Sequence, residues 1–203
     1  MRRTKEEAAK TRQDLLDAAL SVFSQKGYEA TRLEDVAQVA DVTRGAIYHH
    51  FGSKADLFMA LIEDASAQGG AVVQGAIAAG GTFDEITRRV LVRTMSLLEG
   101  NRRFREIMAL SLFKAGGSPE LETLTRQRHD QAIEQVKQLA GFFQAGIGQG
   151  ALRSDLDPEV MGRAFLAYQN GLAMLWLSNQ EAFSIQAQAE QLAEAFLKGI
   201  LAG

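Results

Sequence analysis

The chain has 203 residues, of which 46% are hydrophobic and 23% are charged, and its formal net charge is −3. This is an ordinary composition for a globular protein, and the slight negative charge means that any surface for nucleic acid must be local. The absence of cysteine excludes disulfides, thiolate nucleophiles and thiolate metal sites. The basic N-terminus lacks the apolar segment of a signal peptide, and no apolar stretch is long enough to span a bilayer, so we expect a cytoplasmic protein.

Helix-forming residues dominate the sequence, which contains only two prolines. No segment shows the alternating, β-branched pattern of a strand. We therefore predict an all-α fold of about nine helices. Residues 1–52 are expected to form a small N-terminal domain, and residues 53–203 a larger helical body.

The N-terminal part begins with a predicted helix from about Lys5 to Gln25. Gly27 follows it and can adopt the left-handed conformation that ends a helix. The first twelve residues hold five cations and two acids. They are either a solvated, frayed end or a basic arm that lies near phosphates.

Two short helices joined by a tight turn follow, at about residues 32–51. Thr31 and Glu34 have the spacing of a capping box, which predicts the start of the second helix, and Thr43 is expected to cap the third. The bend lies at Asp41 and Val42. A helix as short as the third is unstable alone. Two such helices, the second rich in hydrogen-bonding side chains, are typical of a helix-turn-helix.

The larger part of the chain carries repeated helix-start signals, each a polar capping residue followed by an acid or a proline. These signals predict helix starts at Ser53, Thr82, Ser118, Asp157 and, for the last helix, near Phe183 or Ser184. An internal glycine costs about 1 kcal/mol relative to alanine. We therefore expect a kink or break near Gly69, a loop around Gly80 and a stop at residues 115–117.

The third helix carries the chemistry that points outside the protein. A helix in the major groove presents its N-terminal half to base edges, and Arg44 lies there. Arginine can donate two hydrogen bonds to guanine, while Gly45 would let the backbone approach the DNA. Tyr48 and His49 could contact phosphates, as could Lys54 in the first turn of the next helix. The alternative is that the tyrosine and the two histidines form a partly buried aromatic cluster.

The run Val42-Thr43-Arg44-Gly45-Ala46-Ile47-Tyr48-His49-His50-Phe51, with Gly27-Tyr28 before it and Ser53-Lys54 after it, closely resembles the DNA-binding domain of TetR-type repressors. It is most similar to the AcrR branch, which regulates multidrug efflux pumps. The resemblance covers about the first sixty residues. Asp41 replaces the usual glycine of the turn, and aspartate tolerates the left-handed conformation.

The resemblance implies an all-helical homodimer that binds double-stranded operator DNA. It also implies that the last two helices dimerise and that helices four to seven enclose a small-molecule inducer. The candidate DNA-binding residues are then Thr31, Arg32, Thr43, Arg44, Gly45, Tyr48, His49, His50 and Lys54.

The eighth helix supports dimerisation independently, because it is apolar nearly all round. A helix without a polar face must be covered on two sides, either within one chain or by a second subunit. Small residues on one side would permit a close helix approach, with larger residues on the other. The candidate dimerisation residues are Ala164, Ala167, Gly171, Leu175 and Phe196.

Methionine and phenylalanine residues of the body are either core or the lining of an adaptable apolar pocket. Neighbouring polar groups could orient a ligand. The candidate ligand-binding residues are Met95, Met108, Leu112, Phe113, Phe143, Gln169 and Asn170.

These patterns predict a ligand-responsive transcriptional regulator. We expect a repressor that binds a near-palindromic operator as a homodimer, is released by a small apolar or amphipathic ligand, and controls a multidrug efflux system. The alternative is a helical interaction or scaffold protein without specific DNA binding. The sequence contains no nucleophile elbow, phosphate loop or paired histidines at metal spacing, so we expect neither an enzyme nor a cofactor or metal site.

Overall fold

The computed structural model describes residues 5–113 and 119–201. The all-α prediction is confirmed: within these ranges the chain forms helices, and the β-type pairing found there is one isolated bridge between Leu152 and Leu201. A 3₁₀ helix at Pro119–Leu121 precedes the seventh α-helix. The helices are α1 (Lys5–Ala30), α2 (Leu33–Val39), α3 (Arg44–Phe51), α4 (Lys54–Ala78), α5 (Phe83–Gly100), α6 (Arg102–Phe113), α7 (Glu122–Gly148), α8 (Pro158–Ser178) and α9 (Ala189–Lys198). The predicted stop at residues 115–117, the start signal at Ser118 and the first four residues of the basic N-terminus lie outside the described residues.

The chain divides into two compact units, of which the first comprises residues 1–67 and 106–124. Its core is built around three aromatic side chains that are fully buried, Phe23, Tyr28 and Phe58. Their ring centroids lie 5.1–5.8 Å apart, with two of the three pairs edge-on. Edge-to-face and offset aromatic pairs add stability beyond the area that they bury. This cluster fixes α1 against the start of α4.

The junction between α1 and α2 differs from its predicted cap. Gly27 has φ 75°, as predicted, and a further turn runs to Ala30. The residue that caps α2 is Arg32 rather than Thr31, because the Asp35 carboxylate accepts from the backbone N–H of Arg32 at 3.2 Å. The Thr31 hydroxyl instead donates to the Gly27 carbonyl at 2.7 Å. The capping box is therefore displaced by one residue from its predicted position.

The turn between α2 and α3 is closed by backbone hydrogen bonds. Asp41 has φ 52°, the left-handed conformation expected at this position. The N–H of Val42 donates to Ala37 O at 3.0 Å, and the N–H of Asp41 to Gln38 O at 3.4 Å. These two bonds form a Schellman motif, which satisfies carbonyls at the end of α2 and sets the direction of α3.

Of the kink or break predicted near Gly69 in α4, the break is wrong. Ser53 caps the helix, with its hydroxyl accepting from the N–H of Asp56 at 3.1 Å, and the helix continues through Gly69 and Gly70 to Ala78. Two adjacent glycines lower helix propensity but do not prevent helix formation when neighbouring residues are packed. The predicted loop is present, since Gly80 has φ 65°.

The second unit comprises residues 68–105 and 125–203. Its core contains a chain of aromatic contacts, in which Phe83 stacks on Phe142 with centroids 4.6 Å apart and Phe143 contacts Phe165 at 6.0 Å. The cap predicted for α5 is confirmed, because Thr82 and Glu85 exchange side-chain and backbone hydrogen bonds. These contacts assemble α5, α7 and α8 around one apolar centre.

The last helix starts later than predicted, at Ala189 rather than near Phe183 or Ser184. The Glu99 carboxylate accepts from the Ser184 hydroxyl at 2.9 Å and from the N–H of Gln186 at 2.8 Å. The Ser184 hydroxyl also accepts from the N–H of Ala187 at 3.0 Å, so it caps a single turn before the regular helix begins at Ala189.

Candidate nucleic-acid interface

Helix α3 is anchored by two apolar side chains, Ile47 and Phe51, which lie four residues apart and are buried. Residues at this spacing share one helix face, so the other positions turn outward. Phe51 also lies beneath Arg12 of α1, whose guanidinium carbon is 5.1 Å from the ring centroid. The outward positions include the residues that the sequence assigned to DNA: Thr43, Arg44, Gly45, Tyr48 and His49 are all exposed.

Arg44 is held across the outer surface of α2 and α3. Its Nη1 forms an ion pair with Glu34 of α2, and its Nη2 donates to the Tyr48 hydroxyl at 2.6 Å. The guanidinium also lies 5.2 Å from the centre of the Tyr48 ring. The hydrogen bond to Tyr48, together with the Glu34 charge, raises the pKa of Arg44 further above its ordinary value. The side chain is thus a fixed, charged donor at the start of the helix.

Gly45 is not required by packing inside the protein. A Cβ atom built there would meet nothing closer than the Thr43 hydroxyl, at 3.8 Å. Its side-chain-free surface is exposed, beside Arg44. Thr43 occupies the predicted capping position with extended backbone, but its side chain makes no capping hydrogen bond. The lack of a side chain at Gly45 is therefore not required for packing, and the Thr43 hydroxyl is not used for capping.

The two histidines differ in environment. His49 is exposed, whereas His50 is half-buried. Their rings meet edge to face with centroids 5.4 Å apart, and His50 also lies 6.2 Å from Phe51. His50 therefore combines the two alternatives that the sequence left open, since it borders the exposed face and packs against the anchor of α3.

Lys54 and Thr31, two of the assigned DNA-binding residues, are turned inward. The Lys54 ammonium donates to the carbonyls of Tyr28 and Thr31 at 3.2 and 3.3 Å. It also lies 4.3 Å above the Tyr28 ring and 3.9 Å from the Glu120 carboxylate. Thr31 is buried and bonded to Gly27. We therefore revise both assignments from direct contacts to positioning residues, because their polar groups already have partners within the first unit.

Tyr28 connects this junction to the segment before α7. Its hydroxyl donates to Glu120 at 2.8 Å, across 92 residues of sequence. Burial, followed by the hydrogen bond to Glu120, raises the pKa of the tyrosine. The α1–α2 junction is thereby fixed from two directions, by Lys54 and by Glu120.

Cations and acids are matched in number over residues 1–58, with nine of each. The structure pairs several of them: Lys26 lies 2.9 Å from Asp35, Arg44 is paired with Glu34, and Lys54 lies near Glu120. Arg32, another assigned DNA-binding residue, is exposed at the start of α2. The sequence analysis missed Glu34 as part of this surface because it placed its carboxylate in a capping box. Its spacing of ten residues before Arg44 is the only sequence signal that could have indicated the pair.

Helix α8 has one buried and one uncovered apolar side. Phe165 and Trp176 are buried in the second unit. Gly162 also faces inward: a Cβ atom there would lie 3.0 Å from the Val136 carbonyl of α7, which shows how closely the two helices pack. On the opposite side Leu175, one of the candidate dimerisation residues, is 64% exposed. The apolar residues left exposed on this side are Val160, Ala164, Ala167, Met174 and Leu175, and Gly171 on the same face is partly covered.

Phe196, the dimerisation residue assigned in the last helix, is half-buried within the second unit. Its ring lies 5.4 Å from Phe165 and 5.3 Å from Tyr168. The Tyr168 hydroxyl donates to Leu192 O at 2.7 Å, which fixes α8 against α9. Phe196 therefore helps to hold α9 in place, and only part of its surface is available to a second chain.

The assigned ligand-binding residues are distributed over both units. Met95 and Phe143 are buried in the second unit, where Gln169 is half-buried and Asn170 exposed. Met108, Leu112 and Phe113 belong to the part of α6 in the first unit, and the last two are exposed. These residues remain a predicted pocket.

Among the described residues, no group of three or more histidine, aspartate or glutamate side chains could hold a metal ion. In the same residues, no helix is both long and apolar enough to cross a membrane.

Two family profiles together cover most of the sequence. Residues 15–61 match the bacterial regulatory proteins of the tetR family, and residues 84–201 match the C-terminal region of the MAATS-type transcriptional repressors. The chain belongs to the TetR family. The first match contains α2, α3 and the surface around Arg44, and the second contains α6–α9 and nearly all of α5.

TetR-family relatives align over nearly the whole chain. The transcriptional regulator TtgR of Pseudomonas putida is 30% identical, over 94% of this chain and 91% of its own. The regulator AcrR of Shigella flexneri is 28% identical, over 97% and 92%. Among solved structures, NalD, described as the secondary repressor of the MexAB-OprM multidrug efflux pump in Pseudomonas aeruginosa, is 25% identical and superimposes with a TM-score of 0.85, over 97% of this chain and 98% of its own. The resemblance to the AcrR branch is thereby confirmed.

Proposed function

We propose that this TetR-family protein is a repressor that binds a near-palindromic operator as a homodimer and is released by a small apolar or amphipathic ligand. The observation that carries the proposal is the outer face of α3. Ile47 and Phe51 anchor the helix, so that Arg44 and Gly45 are exposed at its N-terminal half, with Tyr48 exposed one turn after Arg44. A helix placed in the major groove presents this half to base edges, and arginine pairs with guanine there.

The contact set that we propose differs from the one predicted from sequence alone. Base or phosphate contacts are assigned to exposed side chains of α2 and α3, and the inward-facing Thr31 and Lys54 are assigned to positioning. His50 is retained at the edge of the set. The proposed DNA-binding residues are Arg32, Thr43, Arg44, Gly45, Tyr48, His49 and His50.

Dimerisation is proposed for the uncovered face of α8. Its small residues, Ala164, Ala167 and Gly171, would allow the same helix of a second chain to approach closely. A symmetric dimer presents the same face twice, so one apolar stripe covers the other. Two α3 helices in such a dimer would read two half-sites, which is why we expect the operator to be a near-palindrome.

We propose that the ligand is bound in the helical body, residues 53–203, and that the regulated genes encode an efflux system. This part of the proposal is supported by relatives: NalD is named as a repressor of a multidrug efflux pump, and one solved relative is a complex of SmeT with triclosan. The Met and Phe side chains of the body suit such ligands, since they can repack around different shapes. The domain boundary near residue 52, the cytoplasmic location and the absence of enzymatic activity are parts of the same proposal.

The test is a titration of the purified protein against the intergenic DNA beside its own gene, with a panel of apolar drugs and dyes. We expect tight, salt-sensitive binding that one or more of the compounds weakens. Arg44→Ala should weaken operator binding by about 1–3 kcal/mol, or roughly fivefold to 150-fold, and relax sequence preference at one base step. Its melting temperature should stay close to that of the wild type, because the Arg44 side chain is exposed.

A scaffold protein would behave differently in this experiment. It would bind operator and scrambled DNA alike, and Arg44→Ala would change neither. That result would reject the repressor in favour of the alternative. Specific binding that no compound weakens would keep the DNA function and reject the proposed class of ligand.

A further inference from the structure

The Arg44–Glu34 pair lies on the surface that we propose to face DNA, and it places a carboxylate there. Both side chains are more than half exposed, at 55% and 54%. An acid on a phosphate-facing surface repels DNA. Its presence there therefore calls for a role that outweighs this repulsion.

Capping does not account for Glu34. An acid in the first turn can stabilise a helix through its free N–H groups. In α2 that role is taken by Asp35, whose carboxylate accepts from the backbone N–H of Arg32. Glu34 is directed instead towards α3, where it meets Nη1 of Arg44. The neighbouring acid therefore caps the helix, and Glu34 is available for the guanidinium.

The guanidinium keeps enough donors to bind a base while it stays paired. Arginine has five N–H groups, of which Glu34 takes one on Nη1 and Tyr48 takes one on Nη2. Each terminal nitrogen therefore has a second N–H remaining. Guanine offers two acceptors in the major groove, O6 and N7, and a pair of parallel N–H groups matches them. Binding to guanine thus does not require the pair with Glu34 to break.

A phosphate makes a different demand on the same side chain. A phosphate would bring its own negative charge close to Glu34, because that carboxylate contacts the same guanidinium. The acceptors of guanine carry no formal charge, so the carboxylate opposes phosphate binding at Arg44 more strongly than guanine binding. Nonspecific binding depends almost entirely on phosphate contacts.

We propose that Glu34 is a specificity-determining residue, which holds Arg44 for guanine and withholds it from phosphates. This inference rests on the proposed function, since it assigns a role within the DNA-binding face. Glu34 acts through Arg44, together with Tyr48, and has no contact with DNA of its own.

The test compares operator and scrambled DNA for the wild type, Glu34→Gln, Arg44→Ala and the double variant. Glutamine retains the shape and one acceptor oxygen but removes the charge. Because exposed ion pairs are weak, we expect Glu34→Gln to raise affinity for scrambled DNA about twofold to fivefold and to change operator affinity less than twofold. In the Arg44→Ala background, Glu34→Gln should raise the affinity for scrambled DNA clearly less, since the guanidinium that Glu34 pairs with is absent. Glu29→Gln, which removes an equal charge from an exposed position outside the α2–α3 contact, should leave the ratio of the two affinities unchanged.

Two results would overturn the inference. An equal rise on both DNAs that persists with Arg44→Ala would mean that Glu34 merely repels phosphates. An unchanged ratio in Glu34→Gln would mean that the pair has no role in discrimination. Either result can be separated from failure of the proposed function, because in that case the wild type itself would not distinguish operator from scrambled DNA.

Discussion

Helices α3 and α8 each leave one face uncovered, and the two faces differ in what they require. On α3 the exposed polar groups satisfy one another: Arg44 is bonded to both Tyr48 and Glu34. On α8 the exposed side chains Val160 and Leu175 are apolar and cannot form hydrogen bonds with their neighbours. Polar groups on a surface are stable in water, whereas a contiguous apolar stripe indicates a partner. The apolar face of α8 thus indicates on physical grounds alone that a partner covers it. The inference that the α3 face binds DNA depends instead on its particular donors and on family membership.

The largest expected effect comes from placing a charge on the apolar face. Leu175→Glu should weaken dimerisation by about 3–5 kcal/mol, because two carboxylates would be buried without partners at a symmetric interface. Operator affinity should fall with it, since a single subunit has only one α3 helix. Sedimentation at several concentrations measures the first effect, and DNA titration the second.

A matched control for that variant is Ile77→Glu, at an exposed apolar position of α4. We expect it to leave both the dimer and the operator affinity unchanged. A dimer that persists in Leu175→Glu with unchanged affinity would show that the α8 face is not the interface.

An intermediate effect is expected at the inner edge of the α3 face, where Lys54 is turned away from solvent. Lys54→Gln should lower the free energy of unfolding by about 1–2 kcal/mol, because it removes charge-assisted hydrogen bonds to two carbonyls and the contact with the Tyr28 ring. The salt dependence of operator binding should keep its slope. Denaturant unfolding and a salt series measure these two quantities.

Lys26→Gln is the control for Lys54, since it removes another ion-paired cation of the same unit. The Lys26 side chain is 46% exposed, compared with 20% for Lys54, so a loss below about 0.5 kcal/mol is expected. If Lys54→Gln instead preserved stability and reduced the salt slope by about one, Lys54 would be restored as a phosphate ligand.

The smallest expected effects come from Gly45→Ala, which should stabilise the free protein but weaken its binding to the operator. Gly45→Ala should stabilise the free protein by about 0.5–1 kcal/mol, because alanine favours helix and a Cβ atom meets no close neighbour there. It should weaken operator binding about fivefold, or roughly 1 kcal/mol, if the backbone approaches DNA at this point. Thermal melting and DNA titration give the two values.

Gly70→Ala provides the comparison for Gly45→Ala, since it also lies in a helix with no atom within 4 Å of the added Cβ. It should be stabilising in the same way but leave DNA binding unchanged. Equal operator affinities for the two variants would remove Gly45 from the interface.

Sequence patterns predicted those features that depend on neighbouring residues. The Thr82–Glu85 cap, the Ser53 cap of α4 and the left-handed Asp41 all depend on residues within a few positions. For the same reason, the exposed members of the α3 face could be named in advance from helical spacing.

Apart from the displaced capping box and the break near Gly69, the predictions that failed concern contacts between residues distant in the chain. The segment before α9 is held by Glu99, which lies 85 residues before Ser184. The role of Lys54 depends on Glu120 and on the carbonyls of an earlier junction. No local pattern carries these partners, because they are determined by how the helices pack. The Glu34–Arg44 pair was missed for a related reason: an acid in a first turn has two possible partners, and only the packing of α3 on α2 selects one.

Asp41 links two properties of the protein at a single codon. An aspartate in the left-handed conformation is less favourable than glycine by about 1 kcal/mol, and one nucleotide substitution converts an aspartate codon into a glycine codon. That substitution would relax the turn and at the same time remove a negative charge beside the recognition helix. A single mutation could therefore stabilise this turn, and any change in DNA affinity that accompanied it would come from the lost charge rather than from the backbone.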